Sequence, residues 1–156
     1  MKTSLLLLAL LVAPLSPAAL AATVACPDLA TAVQVGACPA EEELKYTFTG
    51  YCSDDAKAYK GETDVCTDYR RYRKLKNVAL WESADGFFNA YVSCDLPPAS
   101  VKAAKASGVR VAKQGKMTLL VCSYAEGVNF TWRTRVECKV DGGADCTGAA
   151  CKASCN

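Results

Sequence analysis

The clearest pattern of apolar and polar positions runs from Lys116 to Val140. Between Met117 and Cys122 apolar residues occupy both alternating faces, which is typical of a strand with a neighbour on each side. From Val128 to Val140 apolar and polar residues alternate, which predicts a strand with one buried and one solvated face. Because Ala125-Glu126-Gly127 between them favours a turn, the whole stretch predicts a hairpin whose first strand is central in a sheet.

Shorter patterns predict the other elements. A second alternating run, with Leu44, Tyr46, Phe48 and Cys52 on one face, predicts a strand after Pro39. Residues 75–82 and 87–94 predict a second hairpin that turns at Asp85-Gly86. Residues 99–107 consist of good helix formers, and Gly108 is placed as a C-terminal cap. Residues 27–35 predict one or two helical turns, and residues 109–111 predict a short strand that turns back at Gln114-Gly115.

These elements predict an α+β fold, with an antiparallel sheet of five to six strands and one helix packed on it, in a disulfide-rich single domain. We expect the core to be built from the large apolar residues of the predicted strands, namely Trp81, Phe88, Val92, Leu119, Val121, Phe130, Trp132 and Val136.

Residues 1–22 have the pattern of a signal peptide. Lys2 is followed by the apolar run 5–12 and by helix-breaking prolines, and this run is too short to span a membrane. Small residues allow cleavage anywhere from 21 to 25, so we expect a domain over residues 23–140 and a Gly/Ala/Cys-rich tail over 141–156. The protein is therefore expected to be secreted or periplasmic. Lipid anchoring through Cys26 is disfavoured, because Thr23 stands where a lipidation signal has leucine.

Ten cysteines follow the leader, and an even number in an exported chain predicts a disulfide framework. Cys52 and Cys66 enclose a polar segment, so we expect them to close a surface loop over residues 53–65; the other pairings stay open. A metal site built from the last four thiols is the alternative, although their spacing lacks the paired short gaps of zinc knuckles. The ten residues are Cys26, Cys38, Cys52, Cys66, Cys94, Cys122, Cys138, Cys146, Cys151 and Cys155.

The chain contains no histidine. This excludes nucleophiles activated by histidine, and it argues against most catalytic zinc sites. Carboxylates are what remains for catalysis, and Glu82, Asp85 and Glu126 lie in or beside predicted turns, where a pair of them is a candidate for glycoside hydrolysis. Turn carboxylates are also ordinary solvated turn formers. We therefore predict no catalytic residue and no cofactor, and we keep a carboxylate-dependent hydrolase as an alternative.

Charge is distributed unevenly. Without Lys2, 17 basic and 16 acidic side chains leave a net charge of +1, which argues against nucleic-acid binding. Residues 26–68 carry a balance of −6, whereas residues 69–140 carry +8. The most basic stretch mixes cations with aromatic rings, as anion-binding surfaces do, and a charged edge strand is the competing interpretation. The candidate binding residues are Tyr69, Arg70, Arg71, Tyr72, Arg73, Lys74 and Lys76, with Arg133 and Arg135 added if their strands are neighbours.

The function predicted from these observations is that of an exported, non-catalytic binding protein, either inhibitor-like or surface-binding. Its expected partner is a protein, an anionic glycan or an envelope surface. A hydrolase and a Cys-rich metal-binding protein are the alternatives, and the oligomeric state stays open.

Overall fold

The computed structural model describes residues 22–53, 56 and 65–156. In these residues the chain forms two antiparallel sheets and three α-helices, linked by five disulfides in one small domain. The α+β class and the disulfide framework are therefore confirmed. The predicted signal peptide lies almost wholly outside the described residues, as does most of the predicted loop 53–65. Within the described residues, no helix has the length and apolar character needed to cross a membrane.

In chain order the elements are β1 (Ala22–Ala25), β2 (Val33–Gln34), α1 (Glu41–Cys52), α2 (Tyr69–Lys76), β3 (Val78–Glu82), β4 (Asn89–Ser93), α3 (Pro98–Ala103), β5 (Ala106–Gln114), β6 (Met117–Tyr124), β7 (Asn129–Thr134), β8 (Cys138–Val140) and β9 (Lys152–Cys155). A single 3-10 turn at Leu29–Thr31 takes the place of the helical turns predicted over residues 27–35, where β2 follows.

The larger sheet has six strands in the order β2-β3-β4-β7-β6-β5. Both predicted hairpins are present, as β3–β4 and β6–β7, and β6 is paired on both sides as predicted. Alternate residues of these strands point to one face and are buried there, which is the period of a pleated sheet. This inner face carries Trp81, Ala90, Val92, Phe130, Leu120, Cys122 and Val109.

The smaller sheet has the order β1-β9-β8 and was not predicted. Its central strand, β9, comes from the Cys-rich tail and pairs with β1 and β8. Cys151 and Ala153 of the tail are fully buried in the main core. The Cys26–Cys122 disulfide joins the end of β1 to β6 on the buried face of the larger sheet.

The prediction of one strand from Val128 to Val140 was wrong. The strand β7 ends at Thr134, and β8 belongs to the other sheet. The cause is the neighbouring strand: Thr134 pairs with Thr118, and β6 begins at Met117, so β7 has no partner beyond this point. Alternation continues through the break because β8 also has one solvated face.

The strand predicted over residues 44–52 is the helix α1. Leu44 is buried, whereas Tyr46 is 83% exposed, so the alternate positions do not share a face. Leu44 and Phe48 are four residues apart and lie on one face of the helix. Glu41, Glu42 and Glu43 occupy its first turn, where negative charge favours the positive end of the helix dipole.

The helix predicted over residues 99–107 is shorter than expected, and β5 is longer. Helix α3 ends at Ala103, and β5 starts at Ala106 instead of residue 109. Gly108 is not a helix cap. It lies in β5 opposite Asp145, and a Cβ there would be 3.4 Å from the Ala144 carbonyl oxygen. The tail contacts the sheet at this position, where the Val109 amide donates to the Ala144 carbonyl at 3.1 Å.

Most of the expected core is buried, with three exceptions. Trp81, Phe88, Val92, Val121 and Phe130 are each less than 5% exposed. Leu119 and Trp132 are only partly buried, and Val136 is 40% exposed. Val136 lies in the segment between the two sheets, where no strand covers it.

Candidate functional site

The basic stretch forms helix α2, so the charged edge strand considered as the competing interpretation is wrong. Asp68 caps it, with its carboxylate accepting a hydrogen bond from the Arg70 amide at 2.9 Å. Tyr69 and Tyr72 are three residues apart and face α1, where both rings pack edge-on against Phe48. Helices α1 and α2, called the helix pair below, thus share a small aromatic core.

Arg73 joins the helix pair to the larger sheet. Its Nη1 and Nη2 donate to the two carboxylate oxygens of Asp95 at 3.0 and 3.1 Å, just after β4. Its Nε donates to Glu41 Oε2 of α1 at 3.0 Å, and the Tyr69 hydroxyl donates to Glu41 Oε1 at 2.7 Å. Asn77 Nδ2 also donates to Asp95 Oδ1. All three guanidinium nitrogens of Arg73 are therefore occupied by the fold.

This network shifts the pKa of each ionisable group in it. The pKa of Glu41 is lowered by the hydrogen bonds from Tyr69 and Arg73, and that of Asp95 by those from Arg73. The pKa of Arg73 is raised, chiefly by its hydrogen bonds to Asp95. Partial removal of the Tyr69 hydroxyl from water, together with its bond to Glu41, raises the pKa of Tyr69. The network therefore favours ionised carboxylates.

Three cations of α2 face outward, and we call Arg70, Arg71 and Lys74 the basic helix face. All three are exposed, and they lie within one and a half turns of each other. The Arg70 side chain is 91% exposed and only 3.7 Å from Asp68. In the described part of the chain, Arg71 and Lys74 form no ion pair. Lys76 lies apart, with its Nζ 5.2 Å from the centre of the Tyr51 ring.

The fold separates Arg133 and Arg135 from this helix. Arg133 lies on β7, with its Nη1 3.4 Å from Asn89 Oδ1 at the start of β4. The helix pair is attached at the other end of β4, through Asp95 and the Cys38–Cys94 disulfide. The nine residues predicted as a patch therefore divide into seven on or beside α2 and two at the end of β7, where Arg135 follows the last strand residue.

The candidate carboxylates lie in two different hairpins, with Glu82 and Asp85 in one and Glu126 in the other. Asp85 lies in the β3–β4 turn, where its Oδ1 accepts hydrogen bonds from the Ser83 hydroxyl and the Phe87 amide. Glu126 lies in the β6–β7 turn beside Leu96 and Ser100, close to α3. Glu82 pairs with Asn89 within the sheet. Glu126 therefore has neither of the other two beside it for acid–base chemistry.

Every cysteine is in a disulfide. The predicted Cys52–Cys66 pair is present, and the four thiols of the metal alternative form Cys138–Cys155 and Cys146–Cys151. A sulfur in a disulfide is not a thiolate ligand. The Cys26 sulfur is bonded to Cys122, so it is not free to carry a lipid.

A groove that sequence reasoning missed lies between the two sheets. It is lined by Thr23, Val24 and Ala25 of β1 on one side, and by Asp85, Phe87, Phe88 and Trp132 on the other. Its volume is about 420 Å³, within the usual range for ligand sites. The unusual feature is Phe87, which is 60% exposed at a turn. Adjacent phenylalanines after Asp-Gly were the only signal, since one of the two must point outward.

No known protein family, curated protein or solved structure matches this chain.

Proposed function

We propose that this protein is an exported, non-catalytic binding protein that engages an anionic partner through the basic helix face. The observation that carries the proposal is that some side chains of α2 anchor the helix while others are exposed. Tyr69, Tyr72 and Arg73 hold the helix in place, whereas Arg70, Arg71 and Lys74 point to solvent.

The disulfide framework supports this proposal. A surface held on a cross-linked scaffold loses little conformational freedom when it binds, so more of its interaction energy appears as affinity. Exposed cations on a short rigid helix also attract an anionic partner over a distance of about 8 Å at physiological ionic strength. The position of Glu126 in a different hairpin from Glu82 and Asp85, together with the absence of histidine, leaves no comparable support for catalysis.

The test is a pull-down from the native extracellular or periplasmic fraction with the triple variant Arg70→Ala, Arg71→Ala, Lys74→Ala. We expect the wild type to recover partners that the triple variant loses. We also expect the recovered amount to fall steeply as salt is raised above physiological strength, because exposed charges are screened.

A matched control removes three exposed cations elsewhere, by Lys102→Ala, Arg110→Ala and Lys116→Ala. It has the same net charge as the test variant, so equal losses in both would indicate a general charge effect and overturn the proposal. Recovery of the same partners by the test variant would show that the basic helix face is only a solvated surface.

A further inference from the structure

Strand β1 is an edge strand of the smaller sheet, and its residues Thr23, Val24 and Ala25 line the groove between the sheets. The Cys26 amide donates to the Cys151 carbonyl at 2.8 Å. These two residues therefore form a hydrogen-bonded pair of the β1–β9 ladder. Hydrogen-bonded pairs alternate along an antiparallel ladder, which makes Val24–Ala153 and Ala22–Cys155 the next ones. The amide and carbonyl groups of Thr23 and Ala25 therefore point away from β9, and no described residue bonds to them.

The opposite wall of the groove is aromatic. The ring centres of Phe87 and Phe88 lie 6.1 and 6.3 Å from that of Trp132, and these three residues line the groove, where Phe87 is exposed and Phe88 is buried. Asp85 stands at the same wall, held there by the Ser83 hydroxyl and the Phe87 amide. Among the described residues no cation pairs with its carboxylate.

We propose that this groove binds an extended polypeptide segment of a partner protein, which adds as a strand to β1. Each wall contributes one part of the recognition. The free edge offers two amides and two carbonyls at the spacing of a strand, the rings offer a surface for an apolar side chain, and the Asp85 carboxylate attracts a cationic one. The segment is therefore expected to carry an apolar residue and a lysine or arginine two positions apart, on one face of the strand.

This site is distinct from the basic helix face. Phe87 precedes the start of β4, whereas the helix pair is attached after its end, so the two sites lie at opposite ends of the β3–β4 hairpin. The partner chemistry differs as well, because the groove attracts cations and the helix attracts anions. A negative result for one site therefore does not decide the proposal for the other.

Tryptophan fluorescence provides a direct assay. Of the two tryptophans, Trp81 is buried in the core and Trp132 lines the groove, so a shift on binding reports Trp132. The probe is the peptide acetyl-Thr-Leu-Thr-Lys-Thr-amide, titrated to millimolar concentration. We expect a saturable blue shift of the emission, and a weaker response when glutamate replaces the lysine of the probe.

Two N-methylated probes test the strand geometry. One is methylated on the Leu and Lys amides and the other on the three Thr amides, and alternate amides of a strand point to opposite sides. We expect only one of the two sets to abolish binding. If both methylated probes bind like the parent, the groove is a simple apolar site and the proposal fails.

Protein variants test the other wall. Phe87→Ala should raise the dissociation constant of the probe by about tenfold. Tyr91→Ala removes an exposed ring on the outer face of the sheet and should leave this constant unchanged. Asp85→Asn keeps an acceptor for the Phe87 amide and should remove the preference for lysine over glutamate. The triple variant of the basic helix face should bind the probe normally.

Three results would overturn the proposal. The first is no fluorescence response at millimolar probe. The second is a concentration-dependent dimer that Phe87→Ala dissociates, because a second copy would then occupy the groove. The third is an exported protein whose intact mass places its first residue at Cys26, because cleavage there removes β1. A first residue at Ala22 or Thr23 is the expected result.

Discussion

The molecule has two regions that are held together in different ways. The two sheets share one continuous core, which includes Phe88, Phe130, Leu120 and the Cys26–Cys122 disulfide. In the helix pair, the buried residues Leu44 and Tyr72 lie outside that core. Among the described residues, the helix pair is joined to the larger sheet by the Cys38–Cys94 disulfide and by hydrogen bonds of Arg73 and Asn77 to Asp95.

The difference follows from size. Two short helices bury too little apolar surface to order themselves, so a covalent link and charged hydrogen bonds replace the missing core. The same surface charges that make the helix pair a candidate binding site also keep its core small. We therefore expect the helix pair to open at a lower free energy than the sheets.

The largest effect is expected from removing the disulfide inside the shared core. The Cys26–Cys122 disulfide closes a loop with a sequence separation of 96, for which restriction of the unfolded chain contributes about 4.7 kcal/mol. The double variant Cys26→Ala, Cys122→Ala should therefore lose most of its stability in both regions. Urea unfolding followed by far-UV circular dichroism measures the loss, and an unchanged midpoint would contradict the role of this disulfide.

Truncation of a core ring in each region compares the two directly. Phe130→Ala should cost about 3 to 5 kcal/mol and lower the exchange protection of every strand, because Phe130 is fully buried between the sheets. Tyr72→Ala should raise exchange in residues 41–52 and 69–76 and leave the strands protected. Hydrogen exchange with mass spectrometry distinguishes the two patterns. Loss of protection throughout the Tyr72 variant would mean that the regions unfold together.

Acid should loosen the helix pair before the sheets. The lowered pKa values of Glu41 and Asp95 mean that their ionised forms stabilise the fold above the ordinary carboxyl pKa. This contribution is lost as the pH falls through the lowered values, below about pH 4. Exchange at pH 7 and pH 3, corrected for intrinsic rates, should show selective opening of α1 and α2. In the Arg73→Gln variant, α1 and α2 should exchange rapidly at both pH 7 and pH 3. If the variant showed the same difference between the two pH values as the wild type, Arg73 would be excluded as the cause.

The smallest effect is expected at a turn of the larger sheet. Glu126 has φ 58°, a left-handed conformation that is unfavourable for residues with a Cβ. Glu126→Gly should relieve this strain and raise stability by about 0.5 to 1 kcal/mol, after the entropy cost of glycine. The thermal midpoint of the sheet signal measures it, with Ala125→Gly as the control, which should destabilise. A Glu126→Gly variant less stable than the wild type would contradict this explanation.

Local patterns predicted the parts of the fold whose neighbours are close in sequence. The β3–β4 and β6–β7 hairpins follow from alternation and turn residues, because both partners lie within twenty residues. The two helices of the helix pair could also have been predicted from the sequence. Three glutamates after Pro39, the Leu44–Phe48 spacing and the Asp68 cap are all helix signals, but the alternation of Leu44, Tyr46 and Phe48 favoured the wrong period.

The candidate sites were harder to predict, because the side chains around them are distant in sequence. The sequence identified the cations of α2, but only the structure assigned Arg73 to Glu41 and Asp95. The groove brings Thr23, Phe87 and Trp132 together from three separate strands or turns. No local pattern relates such positions.

Composition and local patterns were enough to predict an α+β domain with a disulfide framework and two hairpins, and to exclude histidine chemistry. These properties depend on composition and on contacts between near neighbours. The tertiary structure alone decided that the tail supplies the central strand of a second sheet, and that β7 ends where β6 begins. The tail pairing joins segments that are distant in sequence, and its free energy depends on which strand edges remain open after the local hairpins have formed, whereas the end of β7 depends on how far its hairpin partner extends.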